Sequence, residues 1–152
     1  MSDLAQNKKA RFDYEILDKY EAGLVLRGHE VKAVRAGQVS LKGSFISVRT
    51  KNGKSELYLV GAQISPYKSA GPLPEYNQTR ERKLLLKKGE INQLLGKKQT
   101  EGLTLIPLKI YTNHSFLKLE FAVARGKKKY DKREAIKRRE VDRNLRSLTK
   151  RR

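Results

Sequence analysis

The apolar residues that could build a core are confined to the first 124 positions of this chain, and that division constrains its fold more than any other feature. Residues 1–124 carry 21 Lys and Arg against 12 Asp and Glu, whereas residues 125–152 carry 14 against 4, a net +10 in 28 residues. Beyond Ala135, Ile136, Val141, Leu145 and Leu148 the second segment has almost nothing to bury, so it cannot support a core of its own. The sequence therefore predicts a folded body over 1–124 and a basic tail over 125–152 that is disordered when free and ordered by a polyanion.

The whole chain has 152 residues and a formal charge of +19. Such an excess costs self-repulsion in the folded state and makes sense when a polyanion neutralises it, nucleic acid first and an anionic membrane second. Without cysteine, and with His29 and His114 the only histidines, the chain lacks disulfides, thiolate metal sites, thiol nucleophiles and most imidazole acid–base chemistry. No enzyme activity, catalytic residue, metal or cofactor is expected. No apolar run approaches the ~18 to 20 residues of a membrane span, and Met1–Arg11 lacks the apolar core and cleavage site of a secretory signal. A cytoplasmic monomer is expected.

Within the body, the even positions Phe12, Tyr14, Ile16, Tyr20, Ala22, Leu24 and Leu26 are apolar and the odd ones mostly polar, with Asp18 the interruption. This period of two predicts one long half-buried strand. Gly28 and Gly37 bracket a short helix with a glycine C-cap. Val39–Arg49 and Glu56–Ile64 are strands joined by the Asn52-Gly53 hairpin signal. Residues 65–79, with three prolines and a glycine, make a long loop of the kind that is usually functional or disordered. A short strand from Arg82 to Leu86 and a helix from about Gly89 to Lys98, with a buried stripe of Ile91, Leu94 and Leu95, come next. Leu103–Thr112 and Phe116–Ala124 are strands around a turn at Asn113-His114, with Pro107 at an edge or bulge. The fold class is mainly β: a small antiparallel β-barrel of the oligonucleotide-binding (OB) type with a few short helices and the basic tail.

Five stretches in this order resemble the SsrA-binding proteins (small protein B), bacterial partners of transfer-messenger RNA. They are Asn7-Lys8-Lys9-Ala10-Arg11, Tyr20-Glu21-Ala22-Gly23-Leu24, Gly28-His29-Glu30-Val31-Lys32 with Arg35-Ala36-Gly37, Arg82-Lys83-Leu84-Leu85-Leu86, and Gly126-Lys127-Lys128-Lys129-Tyr130-Asp131-Lys132-Arg133. The resemblance implies a non-enzymatic RNA-binding protein of trans-translation, the rescue of ribosomes stalled without a usable stop codon. By that resemblance the body holds the tRNA-like domain of transfer-messenger RNA, promotes its charging by alanyl-tRNA synthetase and supports its delivery with elongation factor Tu and GTP. The tail is implied to enter the empty message channel at the decoding region of the small subunit and fold there as a helix.

The same resemblance assigns Glu21, Leu85 and Lys118 to the RNA face. A carboxylate can accept from base amino groups or 2′-hydroxyls, and an exposed leucine can pack on an unstacked base. On the residues alone, Glu21 and Lys118 are ordinary solvated strand charges and the Leu84–Leu86 run is core, with one of the three facing outward on the family's pattern. Lys8, Lys9, Arg11, Arg27, Lys127 and Lys128 are candidate phosphate contacts, supplying affinity through counterion release more than specificity. In the tail, Tyr130 offers a stacking ring where many members of the family carry other residues, histidine among them. Asp131, Lys132 and Arg133 match the family's ribosome-contacting motif, and Lys137, Arg138 and Arg139 extend it. As a helix the tail would pair Glu134 with Arg138 and Asp142 with Arg146, and align Val141, Leu145 and Leu148. Its 28 residues would then span about 42 Å.

Other readings stay open on the residues. A generic ribosomal or rRNA-binding OB-fold protein fits composition and pattern equally well. A metal-dependent nuclease would draw its carboxylates from Asp13, Asp18, Glu21 and Glu30, which lack a metal-ligand spacing. Gly53-Lys54-Ser55 lacks the upstream glycine of a phosphate-binding loop. A membrane role for the tail is weakened by the absence of tryptophan and by its thin apolar face.

Overall fold

The computed structural model describes residues 2–98, 102–127, 133, 136–141 and 143. In chain order the elements are β1 (Ser2–Gln6), α1 (Lys8–Asp13), β2 (Tyr14–Leu24), α2 (Gly28–Arg35), β3 (Val39–Ser40), β4 (Phe45–Lys51), β5 (Lys54–Val60), β6 (Gln63–Ile64), β7 (Arg82–Leu85), α3 (Lys88–Lys98), β8 (Leu103–Asn113) and β9 (Phe116–Gly126). Seven strands form one antiparallel sheet in the order β1-β8-β9-β2-β7-β5-β4, and β3 pairs with β6 separately. The mainly antiparallel β class holds. The sheet curls until β4 approaches β8, but its hydrogen-bonded order ends at β1 and β4, so it is not closed into a barrel. A cleft of about 380 Å³, lined by Asn7, Ala10, Phe45 and Leu105 among others, occupies the seam.

Local chemistry explains where the elements break. The alternation starting at Phe12 is strand only from Tyr14, because Asn7 caps α1 ahead of it. The Asn7 side chain accepts from the Ala10 N–H at 3.3 Å and donates to the Pro107 carbonyl at 3.0 Å, satisfying an orphan donor and tying the helix to β8. The interruption at Asp18 is a bulge: register shifts between Ile16 and Asp18, which turns Leu17 outward at 41% exposure. Pro107 sits at a second bulge inside the sheet, where register shifts between it and Lys109, one of the places a strand tolerates proline.

Each of the two long strands expected over 39–49 and 56–64 is two strands, broken at Gly43 and Gly61, both at positive φ. A Cβ on Gly61 would lie 3.3 Å from the Gly43 carbonyl oxygen, so the two corners pack backbone to backbone, an approach only glycine permits. The Asn52-Gly53 hairpin is present, with φ of 54° and 75°, the pairing of a type I′ turn. Gly37 ends α2 as expected: its N–H donates to Val34 and the Gln38 N–H to Ala33, a Schellman closure.

The core joins Leu119, Phe121 and Val123 of β9 to Leu105 and Ile110 of β8 and Leu57 and Leu59 of β5, covered by Ala33 and Val34 of α2 and Leu94 of α3. A charged network is buried beside it. Glu30 and Arg82 are both fully buried; Arg82 donates Nε and Nη2 to Glu30 Oε2 at 3.1 and 2.7 Å and Nη1 to the Ala62 carbonyl at 2.7 Å. Arg80 pairs with the other Glu30 oxygen, the Arg27 N–H donates to it at 2.8 Å, and the Tyr76 hydroxyl donates to Oε2. Burial alone would push the Glu30 carboxyl up, but the hydrogen bonds from Arg80, the Arg27 backbone and Arg82 outweigh it and lower the pKa to about 2.

This network ties down the 65–79 loop, which carries a short 3-10 turn at Lys68–Ala70. The Tyr76 hydroxyl shares its single proton between Glu30 Oε2 and the Ile64 carbonyl at 2.9 Å, and Arg82 donates to the Gln78 carbonyl. Glu30 is thus a structural anchor and not a metal ligand; among the described residues no three His, Asp or Glu converge on a point that could hold a metal. Nor, among them, is any helix long and apolar enough to cross a membrane.

Candidate nucleic-acid interface

Three strands bring the sequence-predicted RNA-face residues together. Gly23 of β2 is paired with Leu85 of β7 on one side and Lys118 of β9 on the other, so these residues form one row across the sheet. Glu21, two positions earlier on β2, shares their outward face because side chains alternate with period two. Leu85 and Lys118, 62 and 95 positions further along the chain, thereby become neighbours of one glycine. Of the leucine run, Leu84 points inward at 3% exposure and Leu85 outward at 53%.

A Cβ on Gly23 would sit 3.4 Å from Leu85 Cβ and 3.6 Å from its Cδ1. The bare glycine leaves a trough over which Leu85 leans. The trough opens into a groove of about 440 Å³ lined by Gly23, Val31, Arg35, Leu85, Phe116 and Lys118, among others.

Glu21 stands directly opposite Glu120 on β9, a like-charge pair that is destabilising unless compensated. Compensation comes from three sides. The Tyr111 hydroxyl of β8 donates to Glu21, while Lys19 and Lys109 lie 3.6 and 3.4 Å from Glu120. Burial, that hydrogen bond and the Glu21 charge all raise the Tyr111 pKa, so the phenol stays a donor. Tyr111 therefore fixes one oxygen of Glu21 and orients the carboxylate.

No motif in the sequence singles out Tyr111. Period two in β8 places it on the sheet face opposite Ile110, where it is nonetheless buried, but its meeting with Glu21 depends on the joint register of β2, β9 and β8. Removing one hydrogen bond to a solvated carboxylate should cost about 0.5 to 1.5 kcal/mol. Tyr111→Phe is therefore expected to remain folded by circular dichroism, with a small drop in melting temperature, while its preference between structured RNAs narrows in a filter-binding competition.

The candidate phosphate contacts do not form one patch. Lys8, Lys9 and Arg11 are exposed on α1, and the Lys127 N–H donates to the Asp13 carbonyl at 2.8 Å, so the start of the tail lies beside that helix. Arg27 lies at the other end of β2, at the N-cap of α2, next to Leu26 of the groove. The 11 residues of β2 separate the two groups by about 35 Å at ~3.3 Å per residue. Sequence order could not reveal this bipolar arrangement.

In the tail, residues 133, 136–141 and 143 are helical. Arg133, Lys137, Arg138 and Arg139 are exposed there, with the Arg139 guanidinium 5.0 Å from the Phe12 ring centroid, a cation–π distance. Lys128, Tyr130, Asp131 and Lys132 lie outside the described residues.

Comparison with known proteins places these features in a family. Residues 4–151 match the family model described as SmpB protein. The SsrA-binding protein of Geobacillus thermodenitrificans is 51% identical over 142 residues, covering 93% of this chain and 88% of that one. The SsrA-binding protein of Pseudothermotoga lettingae is 51% identical over 151 residues, covering 99% and 98%. A solved chain described as "tmRNA-SmpB: a journey to the center of the bacterial ribosome" superposes with a TM-score of 0.64 at 47% identity, covering 86% of this chain and 92% of that one.

Proposed function

This chain belongs to the SmpB protein family, and from that membership we propose that its outer sheet face holds the tRNA-like domain of transfer-messenger RNA while its tail pole works on the ribosome. The protein binds transfer-messenger RNA (SsrA) and acts in trans-translation on stalled ribosomes. The observation that carries the assignment of the face is the row Leu85, Gly23, Lys118 with Glu21 beside it. An apolar side chain, a cation and an oriented carboxylate around a bare backbone can pack on an unstacked base, meet a phosphate and accept from a base amino group or 2′-hydroxyl. Lysines alone offer only the second of these.

The opposite pole has a different character. Lys8, Lys9, Arg11 and Lys127 cluster where the tail leaves the body, and further cations follow along it. This favours the phosphate backbone of ribosomal RNA in the decoding region, with Lys128, Tyr130, Asp131, Lys132, Arg133, Lys137, Arg138 and Arg139 entering the empty message channel. The tail's own helix is marginal in water and gains stability where RNA screens its charge. Elongation factor Tu with GTP and alanyl-tRNA synthetase meet the protein through the RNA, and the site of action is the cytoplasm. Nothing in this role requires bond-breaking chemistry by the protein.

Titration against the tRNA-like domain and bulk tRNA at several salt concentrations tests the face. Both RNAs should bind at low salt, because the charge ensures it, and only the tRNA-like domain should still bind tightly near physiological salt. Equal affinities that fall together as salt rises would overturn the assignment and leave a basic RNA binder.

A further inference from the structure

Phe116 is the most exposed large apolar side chain among the described residues, at 68%. Its surroundings are held firmly. The residue opens β9 opposite Asn113, directly after a tight turn in which His114 takes a positive φ of 57°. Arg35 of α2 braces that turn, donating Nη2 to the Ser115 carbonyl at 2.6 Å. A phenyl ring on a braced hairpin tip is presented to solvent in a defined orientation, with little conformational entropy left to lose on binding.

The ring borders the same groove as Leu85, Gly23 and Lys118. Lys118 Nζ lies 5.9 Å from its centroid, and among the described residues neither Lys118 nor Arg35 forms an ion pair with a carboxylate. The groove therefore combines a flat apolar surface, an apolar wall and two cations not neutralised by the protein. An apolar peptide would leave those cations unmatched, whereas a nucleotide satisfies both parts, its base the ring and its phosphate the cations.

We propose that Phe116 is the stacking platform for one unstacked nucleotide of the bound RNA, with Leu85 closing the far side of the groove and Lys118 and Arg35 facing its phosphate. This deepens the assignment of the outer face and rests on it. Phe116 is thus a contact residue of that face which neither the sequence pattern nor the resemblance had singled out.

The chain contains no tryptophan, so Phe116→Trp in the full-length protein introduces a single emission reporter at the site. On titration with the tRNA-like domain, binding should stay near the wild-type level and the indole emission should be quenched by the stacked base. Phe116→Ala should weaken binding about 5- to 150-fold, the range for loss of one base–aromatic stack, and Phe116→Leu should weaken it almost as much. The dependence of binding on salt should be unchanged in all three, whereas Lys118→Ala should make it shallower by about one phosphate contact.

Wild-type affinity in Phe116→Ala or Phe116→Leu, or unquenched emission in a Phe116→Trp protein that binds normally, overturns the platform while leaving the outer-face assignment in place. An emission change that depends on protein concentration without RNA overturns it in favour of a second copy of the chain. Failure of the wild-type protein to prefer the tRNA-like domain over bulk tRNA is a separate result, and overturns the parent assignment instead.

Discussion

Glu30→Ala is expected to destabilise the protein by about 3 to 5 kcal/mol, the cost of leaving buried charge without its partner. A domain of this size has only about 5 to 15 kcal/mol of stability to lose. Arg82 is fully buried; its contacts to the Ala62 and Gln78 carbonyls and the Tyr76 hydroxyl would persist while both of its bonds to Glu30 are lost, so the damage comes from the uncompensated guanidinium. Arg80 loses its carboxylate too. Urea unfolding followed by circular dichroism should show a midpoint well below that of the wild type, and limited proteolysis should cut first within 65–79, the loop the network holds. A midpoint shift no larger than that of a surface substitution would show that the network contributes nothing net.

The same carboxyl predicts a pH dependence with a definite sign. Its pKa is lowered from 4.5 to about 2 in the folded protein, so the unfolded chain binds the proton more readily. The stabilisation is fully present above pH 4.5 and is lost as pH falls toward 2. Glu30→Gln cannot titrate there, so its stability should fall less steeply than the wild type's between those values. Parallel slopes would place the acid sensitivity in other carboxylates.

A chain ending at residue 129 is expected to keep its affinity for the tRNA-like domain within a few-fold of the full-length protein while losing peptide tagging on stalled ribosomes. The truncation removes ten basic and four acidic residues and leaves a net +13 of the original +19. It touches none of Glu21, Gly23, Leu85, Phe116 or Lys118. Electrostatic affinity for any RNA should decline modestly and its salt dependence become shallower, in proportion to the phosphates no longer contacted. Binding by electrophoretic mobility shift and tagging in a reconstituted translation reaction separate the two activities. Equal loss of both would mean that body and tail do not divide the work.

How far the chain could be understood before folding depended on whether a feature was local. The mainly β class followed from alternation at Tyr14–Leu24 and in the later strands, because a half-buried strand imposes period two on its own residues. The Asn52-Gly53 turn, the glycine closure after α2 and even the site of the β2 bulge, signalled by Asp18, were legible for the same reason. The helix α1 was not: Phe12 continues the strand's alternation, and only the Asn7 cap anchored to Pro107 across the sheet makes the preceding turn helical. The two glycine corners were missed because the positive-φ turns at Gly43 and Gly61 make sense only against each other.

The candidate site divides the same way. Glu21, Leu85 and Lys118 could be nominated from motifs, and the resemblance supplied what spacing did not, since each alone has an ordinary structural explanation. What no pattern contained was that Gly23 sits between Leu85 and Lys118, that Tyr111 orients Glu21, that Arg35 braces the hairpin presenting Phe116, and that the phosphate-contact candidates fall at two poles. The sequence by itself determined the class of fold, the concentration of basic charge after residue 124, and the affinity for a polyanion, because periodicity, composition and net charge are properties of neighbouring residues or of sums. The tertiary structure alone decided which side chains meet and whether Glu30 is ligand or anchor, because strand register and burial arise between segments far apart in the chain, where a one-residue slip would turn every outward group inward.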